Sequence, residues 1–245
     1  SRLGETDWWG KAPYWRRPSE QQMIQVDVDG HVLGSNKPAA ITALADAKLF
    51  LAALADALVA RTGRMNLDAR RRKVAKYRDA ARAERAKLDE KLADMAVPMN
   101  TGHVAHTCQQ VFPEGSVLVA DGGNTAVWAM MFHQMRVPNT ILSTFKFGML
   151  GAGAAQALGA AVARPATPVC CIIGDGAMGF HPQEVETAVR NHLRVVYLVI
   201  CDRQWGMVKM TQQLALKPIK TLIRKSLGPD ETINTDLGEI RFDKL

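Results

Sequence analysis

The sequence predicts an α/β protein whose main part is a doubly wound parallel sheet. Three short apolar segments, residues 117–120, 169–173 and 195–200, are each followed by a polar or glycine-rich turn. Near-continuous apolar strands that alternate with helices are typical of a parallel sheet covered on both faces. Residues 152–163 and residues 182–192 are predicted to be two of the covering helices. The three turns then share one edge of the sheet, where ligands bind in such folds.

The first part of the chain predicts a separate arrangement. Residues 23–29 alternate like a strand, and residues 46–58 carry leucines at helical spacing. We predict an incomplete α/β domain over residues 1–60, a basic helical linker over 61–97 and a C-terminally incomplete main domain over 98–245. The incomplete domain offers little packing surface for the four aromatic residues near its start, Trp8, Trp9, Tyr14 and Trp15.

The composition excludes several classes of protein. The chain has 31 Lys and Arg against 24 Asp and Glu, and twelve basic against five acidic residues between Arg61 and Lys91 account for the whole excess of +7. Because acids and alanines are interspersed there, the stretch favours a solvated helix with i,i+4 pairs and no nucleic-acid partner. No apolar run approaches the ~20 residues of a membrane span, so we predict no membrane. Four cysteines without CxxC spacing predict buried thiols in a reducing, cytoplasmic compartment: Cys108, Cys170, Cys171 and Cys201.

Two acidic residues stand at the ends of neighbouring predicted strands. Asp175 lies between glycines, and Asp202 closes the next apolar segment. Mg²⁺ binds one or two carboxylates together with phosphate oxygens, so both side chains could hold one cation. The backbone amides of a glycine-rich turn can cradle a diphosphate. The turns therefore predict a site for a metal and a phosphorylated ligand.

The spacing of these motifs resembles a known family. Gly-Asp-Gly at 174–176, then 24 residues, then Cys201-Asp202 after an apolar strand is similar to the signature of thiamine-diphosphate-dependent enzymes, in their acetolactate synthase-like branch. Further similar segments are residues 121–125, 147–151, 177–190 and 203–208. The resemblance covers residues 98–210, and residues 20–60 resemble the second half of that family's Rossmann-like central domain.

The resemblance implies roles for residues of this chain. It implies Mg²⁺ ligation by Asp175, Asp202 and the carbonyl of Gln204. It implies diphosphate contacts from the side chains of Asn124 and Thr125 and from the turn formed by Gly174, Gly176, Ala177 and Met178. It implies that Gly148 accepts a hydrogen bond from the cofactor's amine, that Leu150 bends the cofactor, and that the cofactor set also includes Gly206 and Met207. FAD or ADP in the central domain is allowed within the family, although no residue here supports either.

Several positions depart from the family's pattern. Cys201 and Asp202 stand where the family has paired asparagines, Thr211 where acetolactate synthases have a Trp, and Val208 where pyruvate decarboxylase-like enzymes have an acid. The Asn-Thr pair at 124–125 is similar to 2-hydroxyacyl-CoA lyases and benzaldehyde lyases. The resemblance therefore implies C–C bond formation or cleavage next to a carbonyl, by 2-keto acid decarboxylation with carboligation or by 2-hydroxyacyl-CoA or hydroxyketone cleavage.

The resemblance also implies what this chain lacks. The family's activating Glu lies in an N-terminal domain, so no residue of this chain is expected to be catalytic. The alternative to an enzyme is a non-catalytic cofactor-binding or regulatory subunit. The expected partners are a 2-keto acid or acyl-CoA substrate and further copies in a homodimer or homotetramer. Two weaker candidates are less favoured than plain solvated surface. His103 and His106 could bind a metal, and a basic tail could attract an acidic substrate or CoA: Lys209, Lys217, Lys220, Arg224 and Lys225.

Overall fold

The computed structural model describes residues 16–17, 19–144, 147–222 and 234–244, with residues 216–222 as backbone only. The aromatic opening residues and the basic tail beyond Lys209 therefore lie outside the described side chains. The chain forms two compact units that divide between Ala80 and Ala81. The predicted domain boundaries at residues 60 and 97 remain predictions.

The first unit is a small parallel α/β arrangement. Strands β1 (Ile24–Asp27) and β2 (Ile41–Leu44) pair in parallel, and helix α1 (Ala47–Val59) follows. Helix α1 begins where the Asp46 side chain accepts from the amides of Lys48 and Leu49 at 2.9 and 3.1 Å, an N-cap that satisfies two free donors. The predicted strand and helix are confirmed to within a few residues.

Helix α2 (Leu67–Glu90) is the predicted basic helix. Its exposed charges pair along the helix, including Lys87 with Glu84 at 2.8 Å and Arg85 with Asp89 at 2.8 Å. The division between the two units falls inside this helix. Within the second unit, Arg85 also donates to the Met131 carbonyl at 2.9 Å. The last turns of α2 therefore belong to the packing of the second unit.

The second unit is built on a four-stranded parallel sheet in the order β4-β3-β5-β6. The strands are β3 (Val117–Asp121), β4 (Ile141–Ser143), β5 (Val169–Gly174) and β6 (Val195–Ile200). The helices are α3 (Gly102–Val111), α4 (Asn124–Phe132), α5 (Ala152–Ala163), α6 (Asp175–Met178), α7 (Glu184–Arg190) and α8 (Gly206–Leu222). Short 3₁₀ turns occur at Lys91–Ala93 and Phe242–Lys244 in this unit and at Gly30–Val32 and Thr62–Arg64 in the first unit. The predicted doubly wound sheet is confirmed, and β4 is a strand that the sequence did not predict.

Alternate residues of the central strands face opposite cores. Val119 and Cys171 pack with alanines of α5 on one face, and Leu118 and Cys170 pack with α3 and α4 on the other. Because side chains alternate along a strand, a strand buried on both faces must be apolar throughout. This requirement explains the apolar segments of β3 and β5, which are buried throughout, whereas β6 is only partly buried.

Two predictions need correction. Helix α7 is shorter than the predicted 182–192, since Gln183 is its N-cap and His192 has a left-handed φ of 54°. Cys201 is exposed at the end of β6, whereas the other three cysteines are buried, because β6 is the last strand of the described sheet and its residues are only partly buried. Among the described helices, none is long and apolar enough to cross a membrane.

Candidate functional site

The strand order creates a crevice at the carboxyl edge of the sheet. The chain leaves β3 to form β4 on one side and returns to form β5 on the other, so the connections diverge at the ends of β3 and β5. The turns there nearly touch: Gly122 has φ +94°, and a Cβ at this residue would lie 3.3 Å from the Gly174 amide nitrogen. A side chain at Gly122 would crowd the backbone of Gly174, and one at Gly174 would crowd the Thr125 hydroxyl.

A cavity of about 330 Å³ occupies this edge. Its lining comes from the turns after β3, β5 and β6, from the loop before α5 and from the first turn of α8. It contains Asn124, Thr125, Gly148, Leu150, Gly174, Asp175, Gly176, Ala177, Asp202, Gln204, Gly206 and Met207. The structure thus brings together every residue of the predicted site except Met178, whose side chain is buried in the core beneath it.

The end of β3 is organised by a carboxylate that the sequence analysis did not single out. Asp121 is fully buried, and its Oδ1 accepts from the Gly122 amide at 2.6 Å and the Thr144 hydroxyl at 3.3 Å. Its Oδ2 accepts from the Gly153 amide at 2.7 Å. One side chain therefore fixes the β3 turn, the end of β4 and the first turn of α5. The signal available in the sequence was an acid immediately before two glycines.

Asp175 is held in place by the backbone around it. Its Oδ1 accepts from the Gly176 amide at 2.8 Å, and its Oδ2 accepts from the Arg203 amide at 2.8 Å. The second bond joins the turn after β5 to the loop after β6. Each carboxylate oxygen keeps a further lone pair that can reach a cation.

Asp202 faces the same cavity from the end of β6. Its Oδ1 accepts from the Gln204 amide at 3.1 Å. Partial desolvation raises the pKa of Asp202, which is exposed on one side, and the negative charge of Asp175 adds to the rise. Two carboxylates that repel each other in this way would both gain from a cation between them.

Small residues let the turns approach one another closely. A Cβ on Gly123 would overlap the Cβ of Met207, and one on Gly206 would lie 2.9 Å from Nδ2 of Asn124. Gly176 lies under the Trp205 ring, which contacts Phe180 edge-on with a centroid separation of 6.0 Å. The glycines are thus required by contact between loops.

The charge of the cavity decides what it can hold. The described residues that line it include two aspartates and no Lys or Arg. A diphosphate anion alone would be repelled by this lining, whereas a divalent cation would bind both carboxylates and neutralise the phosphate charge. The donor set therefore fits a magnesium diphosphate, and a cationic ring next to it would also be favoured.

The weaker metal candidate, the pair of histidines on α3, lacks a third ligand among the described residues. His103 Nε2 is 2.8 Å from the Asp94 carbonyl oxygen, and His106 Nε2 is 2.9 Å from the Gln110 side-chain nitrogen. Within the described ranges, no group of three metal-ligating side chains occurs. A spacing of three residues places both histidines on one helix surface, and a third ligand is missing from the described residues around them.

Comparison with known proteins agrees with this geometry. Residues 121–232 match the family model described as the thiamine pyrophosphate enzyme, C-terminal TPP binding domain. Over these residues the chain is similar to a domain of the thiamine pyrophosphate enzyme family. Thiamine pyrophosphate is another name for thiamine diphosphate. The matched segment begins at the last residue of β3 and includes the turns after β5 and β6.

Several relatives show how much of such a protein the chain represents. Human 2-hydroxyacyl-CoA lyase 2 is 36% identical over 140 residues, which are 57% of this chain and 22% of that protein. Chloroplastic acetolactate synthase 2 of Nicotiana tabacum is 28% identical over 193 residues, 78% of this chain and 28% of that protein. The chain thus spans about a quarter of the length of these relatives.

A solved structure supports the fold. A thiamin diphosphate-dependent enzyme from Mycobacterium smegmatis matches with a TM-score of 0.59 at 15% identity, covering 93% of this chain and 37% of that chain. At this identity the likeness concerns the fold alone. The α/β architecture is therefore shared with a solved structure, whereas the similarity to the thiamine pyrophosphate-binding domain rests on the sequence match over residues 121–232.

Proposed function

We propose that this chain is the cofactor-binding part of a thiamine-diphosphate- and Mg²⁺-dependent enzyme that makes or breaks a C–C bond next to a carbonyl. The observation that carries the proposal is the cavity at the ends of β3, β5 and β6, with two aspartates and no basic residue among its described lining. Such a lining favours a diphosphate only when it is accompanied by a divalent cation. The match to the thiamine pyrophosphate-binding family model supports thiamine diphosphate as the ligand of this cavity.

The metal end of the site would be formed by three residues. Asp175 and Asp202 line the cavity from adjacent parallel strands, and Gln204 lies two residues beyond. We assign both carboxylates and the Gln204 carbonyl as Mg²⁺ ligands. The polar side chains of Asn124 and Thr125, at the start of α4, would contact the diphosphate, together with the amides that follow Asp175.

The other end of the site would orient the reacting ring. Gly148 has φ +70°, and Leu150 is half-buried against the core while lining the cavity. A side chain fixed by packing can hold a bent cofactor without further loss of side-chain entropy. Bound thiamine diphosphate supplies a thiazolium ring that takes up the electron pair of a bond broken next to a carbonyl. Val208 adds an apolar side chain to the lining at this end of the cavity.

Two substrate classes remain candidates. Acetolactate synthase-like chemistry would decarboxylate a 2-keto acid and join the product to a second carbonyl compound. Cleavage of a 2-hydroxyacyl-CoA is the second candidate, and the 36% identity to human 2-hydroxyacyl-CoA lyase 2 favours it. An assay of the complete protein with a panel of 2-keto acids and 2-hydroxyacyl-CoA esters separates these classes. Cofactor binding without turnover of any member would indicate a non-catalytic subunit.

Calorimetry of the complete protein tests the cofactor. We expect thiamine diphosphate to bind in the presence of Mg²⁺ and to bind at least tenfold more weakly with EDTA. Asp175→Ala and Asp202→Ala should each remove Mg²⁺-dependent binding, whereas Glu186→Gln, which breaks an exposed ion pair with Arg190 on α7, should not. Unchanged binding by Asp175→Ala would contradict the metal assignment.

We also propose a homodimer or homotetramer in the cytoplasm. Free thiols at all four cysteines of the chain suit a reducing compartment. Exposed apolar side chains beside the cavity, among them Phe147, Met149 and Phe180, support contact with another domain or copy. Sedimentation of the complete protein measures the assembly.

A further inference from the structure

A short C-terminal segment lies against the loop that follows β6. We call residues 234–239 the strap. The Trp205 amide donates to the Thr235 carbonyl at 2.8 Å, and the Leu237 amide donates to the Arg203 carbonyl at 2.8 Å. These two hydrogen bonds form a single antiparallel β-bridge between the strap and the loop.

The bridge centres on a candidate metal ligand. Gln204, whose carbonyl is proposed to bind Mg²⁺, pairs with Asp236 of the strap. An ion pair between Asp236 and Lys209, at 3.6 Å, adds a contact to the first turn of α8. The direction in which the Gln204 carbonyl points is therefore set by a segment about 30 residues further along the chain.

Arg203 in this loop contacts both Asp175 and the strap. The Arg203 amide donates to Asp175 while its carbonyl accepts from Leu237, and Arg203 has a left-handed φ of 57°. Its guanidinium pairs with Glu239 at 3.2 Å. The Leu237 side chain covers the turn after β5, since a Cβ on Gly176 would lie 3.3 Å from Leu237 Cδ1.

From these contacts we propose that the strap is a positioning element of the metal site, acting mainly through Leu237 and to a lesser extent through Glu239. This inference rests on the proposed function. Residues that hold metal ligands without touching the metal typically change metal affinity by ~10–100-fold when they are altered. The strap restricts the loop backbone, and so it sets the separation between the two carboxylates and the direction of the Gln204 carbonyl.

The first test compares Leu237 with a neighbour outside the strap. Mg²⁺ is titrated by calorimetry into the complete protein with saturating thiamine diphosphate. Leu237→Ala should raise the Kd for Mg²⁺ by about tenfold while the stoichiometry stays unchanged. Leu237→Met, which keeps most of the side-chain volume, should restore the affinity to within about twofold. Ile240→Ala, a matched truncation of an exposed residue, should leave it unchanged.

The second test compares two exposed ion pairs of nearly equal exposure. Glu239→Gln breaks the ion pair with Arg203, in which the Arg203 side chain is 59% exposed and the Glu239 side chain 58% exposed. Asp243→Asn breaks the pair with Arg241, whose side chains are 58% and 60% exposed. We expect a rise of about twofold in the Mg²⁺ Kd for Glu239→Gln, and none for Asp243→Asn.

The outcomes separate this inference from the proposed function. If the unaltered protein binds no thiamine diphosphate with Mg²⁺, the proposed function fails and the strap has no metal site to position. If it binds both, and Leu237→Ala and Glu239→Gln match their controls, the inference alone is overturned. If Leu237→Ala lowers the stoichiometry and Leu237→Met does not restore it, a general folding role replaces the positioning role.

Discussion

Replacing Asp121 with Asn tests whether one buried carboxylate holds the candidate site together. The carboxylate accepts from the Gly122 amide at 2.6 Å, the Gly153 amide at 2.7 Å and the Thr144 hydroxyl at 3.3 Å. Hydrogen bonds to a charged group contribute ~1.5–3 kcal/mol each. Asn keeps the shape and one acceptor oxygen, so at least one backbone amide then faces an NH₂ group.

The expected loss of folding stability is the difference between two opposing effects. Losing one charge-assisted bond and leaving a buried donor unpaired costs roughly 3–4 kcal/mol, and neutralising the carboxylate returns part of its desolvation cost. We expect Asp121→Asn to lower the free energy of unfolding by about 2 kcal/mol, measured by urea denaturation followed by circular dichroism. The control Asp243→Asn, at an exposed ion pair, should change it by less than ~0.5 kcal/mol. A loss equally small for Asp121→Asn would refute the anchoring role.

Three further predictions concern stability and reactivity. Gly153→Ala should destabilise the fold by more than ~2 kcal/mol because its Cβ would overlap a buried side chain, whereas Gly159→Ala, with open space around it on the same helix, should stabilise by ~0.5–1 kcal/mol in the same urea assay. Titration with an aromatic disulfide reagent at pH 8 should modify Cys201 alone in the native protein, because Cys201 is the exposed cysteine. Burial raises the pKa of Cys171 to about 12. Fast modification of Cys171 would contradict its burial. Burial lowers the pKa of His133 below 6.5, so the unfolded chain binds the proton more readily and stability falls as the pH drops through about 6.5. His133→Gln should flatten that fall between pH 7.5 and 5.5, and an unchanged slope would exclude this histidine as its source.

Much of the fold and the site could be predicted because the relevant signals are local. The strands around Val119 and Cys171 are apolar throughout because both of their faces are buried. Asp175 and Asp202 were predicted to meet because parallel strands end at one edge, and both line one cavity. Their metal role remains a proposal.

The tertiary structure alone decided the contacts between distant segments. Strand β4 has only three residues, too few for a period-2 pattern. Asp121 became an anchor because α5 places the Gly153 amide 32 residues away against it, and Leu237 reached Gly176 through a bridge that no local pattern encodes.

The sequence by itself determined the parallel sheet, the edge that carries the site and the residues at each strand end, because burial and turn chemistry act over a few neighbouring residues. Only the tertiary structure decided the strand order, the buried anchor at Asp121 and the strap over the loop after β6. The strand order and the strap depend on hydrogen bonds between backbone groups, which nearly every residue type can make. The role of Asp121 depends on an amide 32 residues further along the chain, and so none of these features leaves a local trace in the sequence.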